Sequence, residues 1–184
     1  MTTTTFRTGY GADWLDLTAT LLGRYQPLPD EQVPDPGSLR AWLRERSLEP
    51  TTAIAKADVE EFHLLREAMH GAAAAIVRGD IPSKGDVLVL DRALAEDQPV
   101  GLRRGADGLR LSRPATPAVA RARLARQAVS DLSGPQRMLL KACGDDTCSG
   151  IFVDHSGKRR WCADERCGVR ARVRAHRARA RGTA

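Results

Sequence analysis

Apolar residues recur at helical spacing in four stretches of the chain, and a fifth stretch breaks into two short segments around glycines. In "SLRAWLRERSL", Leu39, Trp42, Leu43 and Leu48 keep close to one face, with Ser38 as the cap. "DVEEFHLLREAMHGAAAAIVRG" predicts the strongest helix: Val59, Phe62, Leu65, Met69, Ile76 and Val77 share a broad face, and Asp58 with Glu61 makes a box-like start. "SKGDVLVLDRALAED" repeats that relation with Ser83 and Asp86. "TPAVARARLARQAVSDL" reads as a helix capped by Thr116 with Pro117 in its first turn. Between the last two, "PVGLRRGADGLRLSR" predicts a β-hairpin around Gly105–Gly108. "WLDLTATLLG" near the start is too short to assign to helix or strand, and the proline-rich "RYQPLPDEQVPDPGS" after it reads as a surface loop.

These elements place a helix-rich domain at residues 1–132 and, beyond the break at Ser133–Gly134–Pro135, a smaller unit at 133–184, in an α+β chain. Trp14, Trp42, Phe62 and Met69 are the expected core. Residues 1–132 hold no glycine-rich phosphate loop, HExxH motif or nucleophile elbow, so no enzyme is expected. His63 and His70 lie seven apart on one helix and read as packed or solvated rather than ligating. No signal peptide is evident, and the longest apolar run, Ala72–Val77, is too short to span a bilayer. The expected location is the cytoplasm, with no membrane partner.

Charge separates the two units. The net charge is +6 over 184 residues. Residues 1–142 carry 19 basic and 18 acidic side chains, while residues 143–184 carry 10 and 5. From Arg166 onward there are seven arginines and no acid. A basic module on a neutral domain points to a polyanion, nucleic acid first.

The same basic module holds every cysteine, as C-x4-C-x13-C-x4-C: Cys143, Cys148, Cys162 and Cys167. Four thiolates complete a tetrahedral Zn²⁺ with no position left for water, the pattern of a structural site. An iron–sulfur cluster also takes four cysteines. Disulfides fit poorly in a chain with no export signal, and a redox pair normally reads C-x2-C. The residues between the pairs predict a hairpin, with "GIFVD" going out, a turn at His155–Gly157 and "KRRWC" returning. Metal binding would fold a segment too small for a core of its own.

"C-x4-C-x-G-I-F-V-D-x-S-x-x-R-R-W-C-x4-C-G-x-R" resembles the CGNR-type zinc finger, with Phe152, Asp154, Arg160, Trp161, Gly168 and Arg170 in place beside the cysteines. That module is found after an ABATE domain in bacterial proteins described as stress-induced transcription regulators. "LDLTATLLGR", "DVEEFHLLREAM" and "GLRL" are similar to ABATE segments. The name-giving Asn is Val169 here, and Thr18–Ala19 stands about where an Asn–Thr pair is usual. The resemblance implies a treble-clef-like finger in which a helix starts at the second knuckle.

The sequence after Cys167 agrees. On a helix, Val169, Val173, His176 and Ala180 make an apolar stripe able to pack on the hairpin, and Arg170, Arg174, Arg177 and Arg181 make a stripe beside it, with Arg172 and Arg179 beyond. Guanidinium binds phosphate bidentately and stays charged. Lys158, Arg159 and Arg160 of the hairpin would extend this surface, and Trp161 is expected under the zinc site. The expectation is a DNA-binding regulator, with Arg170, Arg174 and Arg177 best placed to enter a groove. The amino-terminal domain would sense a small-molecule effector or form a homodimer. RNA binding and a protein-interaction scaffold with a purely structural zinc are the alternatives.

Overall fold

The computed structural model describes residues 6–106 and 108–182. "WLDLTATLLG" contains both elements it could have been: a short helix α1 (Asp13–Thr18) runs into a two-residue strand β1 (Leu21–Leu22). That strand pairs antiparallel with β2 (Asp30–Glu31), inside the segment expected to be all loop. A buried arginine supports the pairing. Arg66 lies almost fully buried and bonds Glu31 at 2.7 Å and the Thr20 hydroxyl at 3.1 Å, so the pair has a charged anchor from below.

Helix α2 (Pro36–Glu45) starts two residues before the expected cap. Asp35 is the N-cap, accepting from Ser38 N at 2.8 Å, and the Ser38 hydroxyl accepts in turn from Asp35 N. Proline at the first helical position made the earlier start possible. Helix α3 (Lys56–Arg78) also starts earlier, with Asp58 reaching back to Ala55 N at 2.7 Å from the third position rather than capping. Helix α4 (Lys84–Ala95) is capped by Ser83, which accepts from Asp86 N at 3.0 Å. Strands β3 (Leu102–Gly105) and β4 (Gly108–Leu111) form the expected hairpin. Helix α5 (Pro117–Ser133) is capped by Thr116.

Helix α3 is the central column, against which α1, α2, α4 and α5 all pack. Phe62 and Met69 on α3, with Trp14 and Trp42 packed into the same core, are fully buried, as expected. Fully burying side chains of this size stabilises by roughly 1.5–3 kcal/mol each before entropy is subtracted. His63 and His70 diverge: His63 Nε2 meets Val33 O at 3.0 Å, and buried His70 meets Ser149 O at 2.9 Å.

After α5, a 3-10 turn (Pro135–Leu139) leads into β5 (Leu140–Ala142), which pairs antiparallel with β6 (Ile151–Val153). The hairpin expected between the cysteine pairs is therefore replaced. The partner of "IFV" precedes the first cysteine, and residues 158–162 return without joining a sheet. Asp154 causes the turn-out, accepting from Lys141 Nζ, Ser156 N, Ser156 Oγ and Arg159 N at 2.7–3.1 Å. Strands β5 and β6 lie on α3, and Ile151, Phe152 and Val153 join the same apolar core as Trp14 and Phe62. A π-helical turn (Asp164–Gly168) then opens helix α6 (Val169–Gly182). No helix among the described residues is long and apolar enough to cross a membrane.

Candidate metal centre and arginine helix

The first knuckle is shaped by an acid. Asp145 accepts from Thr147 N at 3.1 Å and from its hydroxyl at 2.9 Å, and its carbonyl takes Cys148 N at 2.8 Å, which curls Cys148 back toward Cys143. The second knuckle is the π turn, where Cys167 N reaches Ala163 O at 2.9 Å. A Cβ on Gly168 would meet the Asp164 carboxylate, so a larger residue there would have to displace that exposed side chain.

The two knuckles bring all four sulfurs within 4.8 Å of one another. Cys148 and Cys162 sulfurs are 3.7 Å apart, and those of Cys162 and Cys167 are 3.4 Å apart. A tetrahedron with metal–sulfur bonds of about 2.3 Å has edges of about 3.8 Å, so the cage fits zinc. Three donors point at its sulfurs: Gly150 N to Cys148 (3.3 Å), Cys162 N to Cys143 (3.4 Å) and Arg170 Nη2 to Cys167 (3.3 Å). Such donors stabilise thiolates and orient them. Crowding makes the charge problem plain. The bond with Cys143 pushes the Cys148 thiol up to about 12, and Cys162 is pushed up as well, first by Cys143 and then by Cys148. A bound dication supplies the charge that lets all four sulfurs be thiolates.

Tyr10, from the other end of the chain, completes the wall. Its ring lies where a side chain on Gly150 would stand, and burial first, then the charge of Cys162, pushes its phenol up. Val153 N donates to Tyr10 O at 2.8 Å. No spacing in the sequence signals this residue. Asp145 was also missed, although "DDT" inside a knuckle is the composition of a side-chain-capped turn.

The expected phosphate-binding residues have separate fates. Asp145 is fully buried and accepts from Arg170 Nε at 2.6 Å and Arg174 Nη2 at 2.5 Å. Burial opposes its ionisation, but these arginines and Thr147 hold its carboxyl well below the usual range. Arg174 also meets Asp146 at 2.5 Å, and Arg172 makes a two-pronged pair with Asp164 at 3.0 and 3.2 Å. Arg159 is engaged inside the fold, bonding Gly9 O, Trp161 O and Cys162 O and covering the Phe152 ring. Lys158, Arg160, Arg177 and Arg181 are exposed. Arg160 and Arg172 flank the Trp161 ring at 5.2 and 5.7 Å, which joins the return segment and α6 into one basic surface. Trp161 is thus half-buried beside two arginines.

The apolar stripe of α6 does not pack on a hairpin. Val169 and Val173 are 45% and 42% exposed, and residues 175–181 are exposed throughout. The helix is held at its root by ion pairs instead, because the sheet it was expected to cover has turned toward α3.

Residues 139–180 match the CGNR zinc finger, and residues 11–135 match the ABATE family, whose description is "Putative stress-induced transcription regulator". The chain belongs to the ABATE family. No curated protein matches it. The order of the two matches, ABATE domain then CGNR finger, is the one the residues suggested. In this ABATE protein the four finger cysteines make a site for one structural zinc, and the finger shares its core with the ABATE domain.

Proposed function

We propose that this ABATE protein regulates transcription by binding duplex DNA through its CGNR finger, while the ABATE domain senses a signal or dimerises. The joined basic surface at Trp161 carries the reading. Lys158, Arg160 and Arg172 surround the finger's tip, and Arg177 and Arg181 extend the same charge along an acid-free helix. Arg170 and Arg174 fix that helix against the first knuckle, with roughly 40–50% of each side chain still exposed to reach a phosphate.

The covering of Trp161 favours duplex over single strands. Two guanidinium groups already lie over its ring and Phe152 is fully buried, so an unpaired base would have to displace an arginine to stack there.

The test is binding of zinc-loaded protein to random duplex DNA and to single-stranded RNA across a salt series. Duplex binding should be steeper in salt and tighter than RNA binding. Replacing Arg177 and Arg181 with Ala should reduce the slope of log K against log salt by about 0.9 for each phosphate that is no longer neutralised. Salt-independent association, or an unchanged slope in the variant, would remove α6 from the binding surface and leave the finger as a scaffold.

A further inference from the structure

A groove of about 1120 Å³ opens on the ABATE domain between the β3–β4 hairpin, the end of α2 with its following loop, and one face of α5. Its volume is that of a small-molecule site. Its lining is unusual in charge: eight arginines face three acids. The acids are already engaged. Glu49 accepts from Arg40 and Arg44 and pairs with Arg113 at 3.4 Å, Arg126 pairs with Asp97, and Asp131 accepts from Trp14 Nε1 at 2.7 Å, so Arg44, Arg113 and Arg126 of the lining are themselves compensated. Asp13 stands 4.0 Å from Arg46. None of the three pairs with Arg103 or Arg104 of the hairpin.

The hairpin itself concentrates charge at a position where a sheet resists it. Its register sets Arg103 directly opposite Arg110, and Arg104 follows on the same strand. Like charges in directly opposed positions destabilise a hairpin. Among the described residues Arg103 and Arg104 have no ion pair. Across the groove, Arg123 Nε is buried and makes no hydrogen bond, its Nη1 donating to Ser112 O at 2.7 Å, and no ion pair of Arg123 is found among the described residues. Cations left this way in a folded domain favour an anionic occupant.

The geometry narrows its chemistry. The arginines without an ion pair among the described residues, Arg103, Arg104 and Arg123, come from β3 and α5, so a planar carboxylate with two oxygens could satisfy one or two of them at most. A phosphate presents three oxygens in a tetrahedral array and carries nearly two charges. Val100, Leu48, Leu111 and Leu124 add an apolar wall beside the cations. A long duplex suits the site poorly, because the groove is concave and its acids lie along the same lining.

We propose that this groove binds a small molecule bearing two or more phosphate groups on an apolar or planar body, the chemistry of a nucleoside di- or triphosphate. The site is separate from the finger's arginines, so it does not depend on the DNA-binding reading.

Calorimetry and thermal melting on the full, zinc-loaded chain at physiological salt would test it, with ATP, ADP, AMP, adenosine, pyrophosphate and citrate as probes. ATP and ADP should bind and raise the melting temperature. Pyrophosphate should bind more weakly, AMP at least tenfold more weakly than ADP, and adenosine not at all. The double variant Arg103→Ala, Arg104→Ala lies on an exposed hairpin. It should keep zinc content and circular dichroism and weaken ATP at least tenfold; Arg104→Ala alone gives a milder version should the double variant misfold. Absence of binding by both ATP and pyrophosphate at millimolar concentration would overturn the proposal. So would ATP binding that survives both hairpin variants, or citrate binding as tightly as ATP. Duplex binding measured on the Arg177→Ala, Arg181→Ala variant reports on the finger alone and cannot rescue or sink this site.

Discussion

Val153 donates its backbone N–H to the carbonyl of Tyr10 at 2.8 Å, so the start of the chain runs along the strand that carries the zinc finger. Gly11 makes the approach possible. Its φ is +107°, and a Cβ there would stand 2.7 Å from Val153 Cβ. Gly11→Ala therefore meets both backbone strain and a collision. It should cost about 2 kcal/mol or more in chemical denaturation. A loss under about 0.5 kcal/mol would mean that this approach does not tie the two matched segments together.

Zinc should stabilise the whole chain. Phe152, Cys162 and Cys167 belong to the same core as Trp14 and Phe62, so collapse of the metal site exposes the flank of α3. Chelation, or Cys162→Ser, should lower the melting temperature of one cooperative transition. Two well-separated transitions after chelation, the helical one unmoved, would show that the finger folds independently.

Asp145 links the finger's root to its helix. Asp145→Asn keeps the shape but leaves Arg170 and Arg174 without their carboxylate. Charged hydrogen bonds of this kind, half-exposed on the arginine side, are worth about 1–3 kcal/mol together. Zinc affinity should fall as well, because Arg170 also donates to the Cys167 sulfur. Competition with a colorimetric zinc chelator measures this, and an unchanged affinity would confine Arg170 to holding the helix.

His70 should make the protein acid-sensitive. Burial first, and the charges of Arg24, Arg66 and Arg78 after it, lower its pKa to about 4, against about 6.5 for a free histidine. The unfolded chain then takes a proton that the folded chain refuses. Stability from the neutral ring is complete above pH 6.5 and drains away as pH falls toward 4, by about 3 kcal/mol at most. An NMR titration should find His70 neutral at pH 5.5, and His70→Gln should flatten the pH dependence of melting between 6.5 and 4.5. A ring that titrates near 6.5 would sink the idea.

Val169 stands where the finger's name-giving Asn belongs, and it is 45% exposed in the first turn of α6. Val169→Asn should change stability by less than about 0.5 kcal/mol and leave zinc content intact. A larger loss, measured by denaturation, would give this position a structural role that its exposure does not suggest.

Much of this protein was legible residue by residue. Ser83 and Thr116 cap their helices because a cap needs only the next three residues, and the four cysteines cage a metal because each pair closes over four intervening positions. The burial of Trp14, Trp42, Phe62 and Met69 followed from their large apolar side chains, and for the last three from helical spacing as well. Where local rules competed, reading from sequence slipped: Pro36 let α2 begin before Ser38, and Asp58 served at the third position of α3 rather than at its cap.

Tertiary structure decided the rest. Strand β6 could pair forward with "KRRWC" or backward with Leu140–Ala142, and burial of Phe152 against α3, with Asp154 turning the chain out, selected the second. That choice left Val169 and Val173 without a sheet to cover, and Arg170 and Arg174, expected to meet phosphate, became the anchors of α6. Tyr10 beside Cys162, and the arginines of α2, β3 and α5 around one groove, come from segments far apart in the chain. Their meeting depends on how the helices pack around α3, a long-range energy that spacing along the chain does not encode.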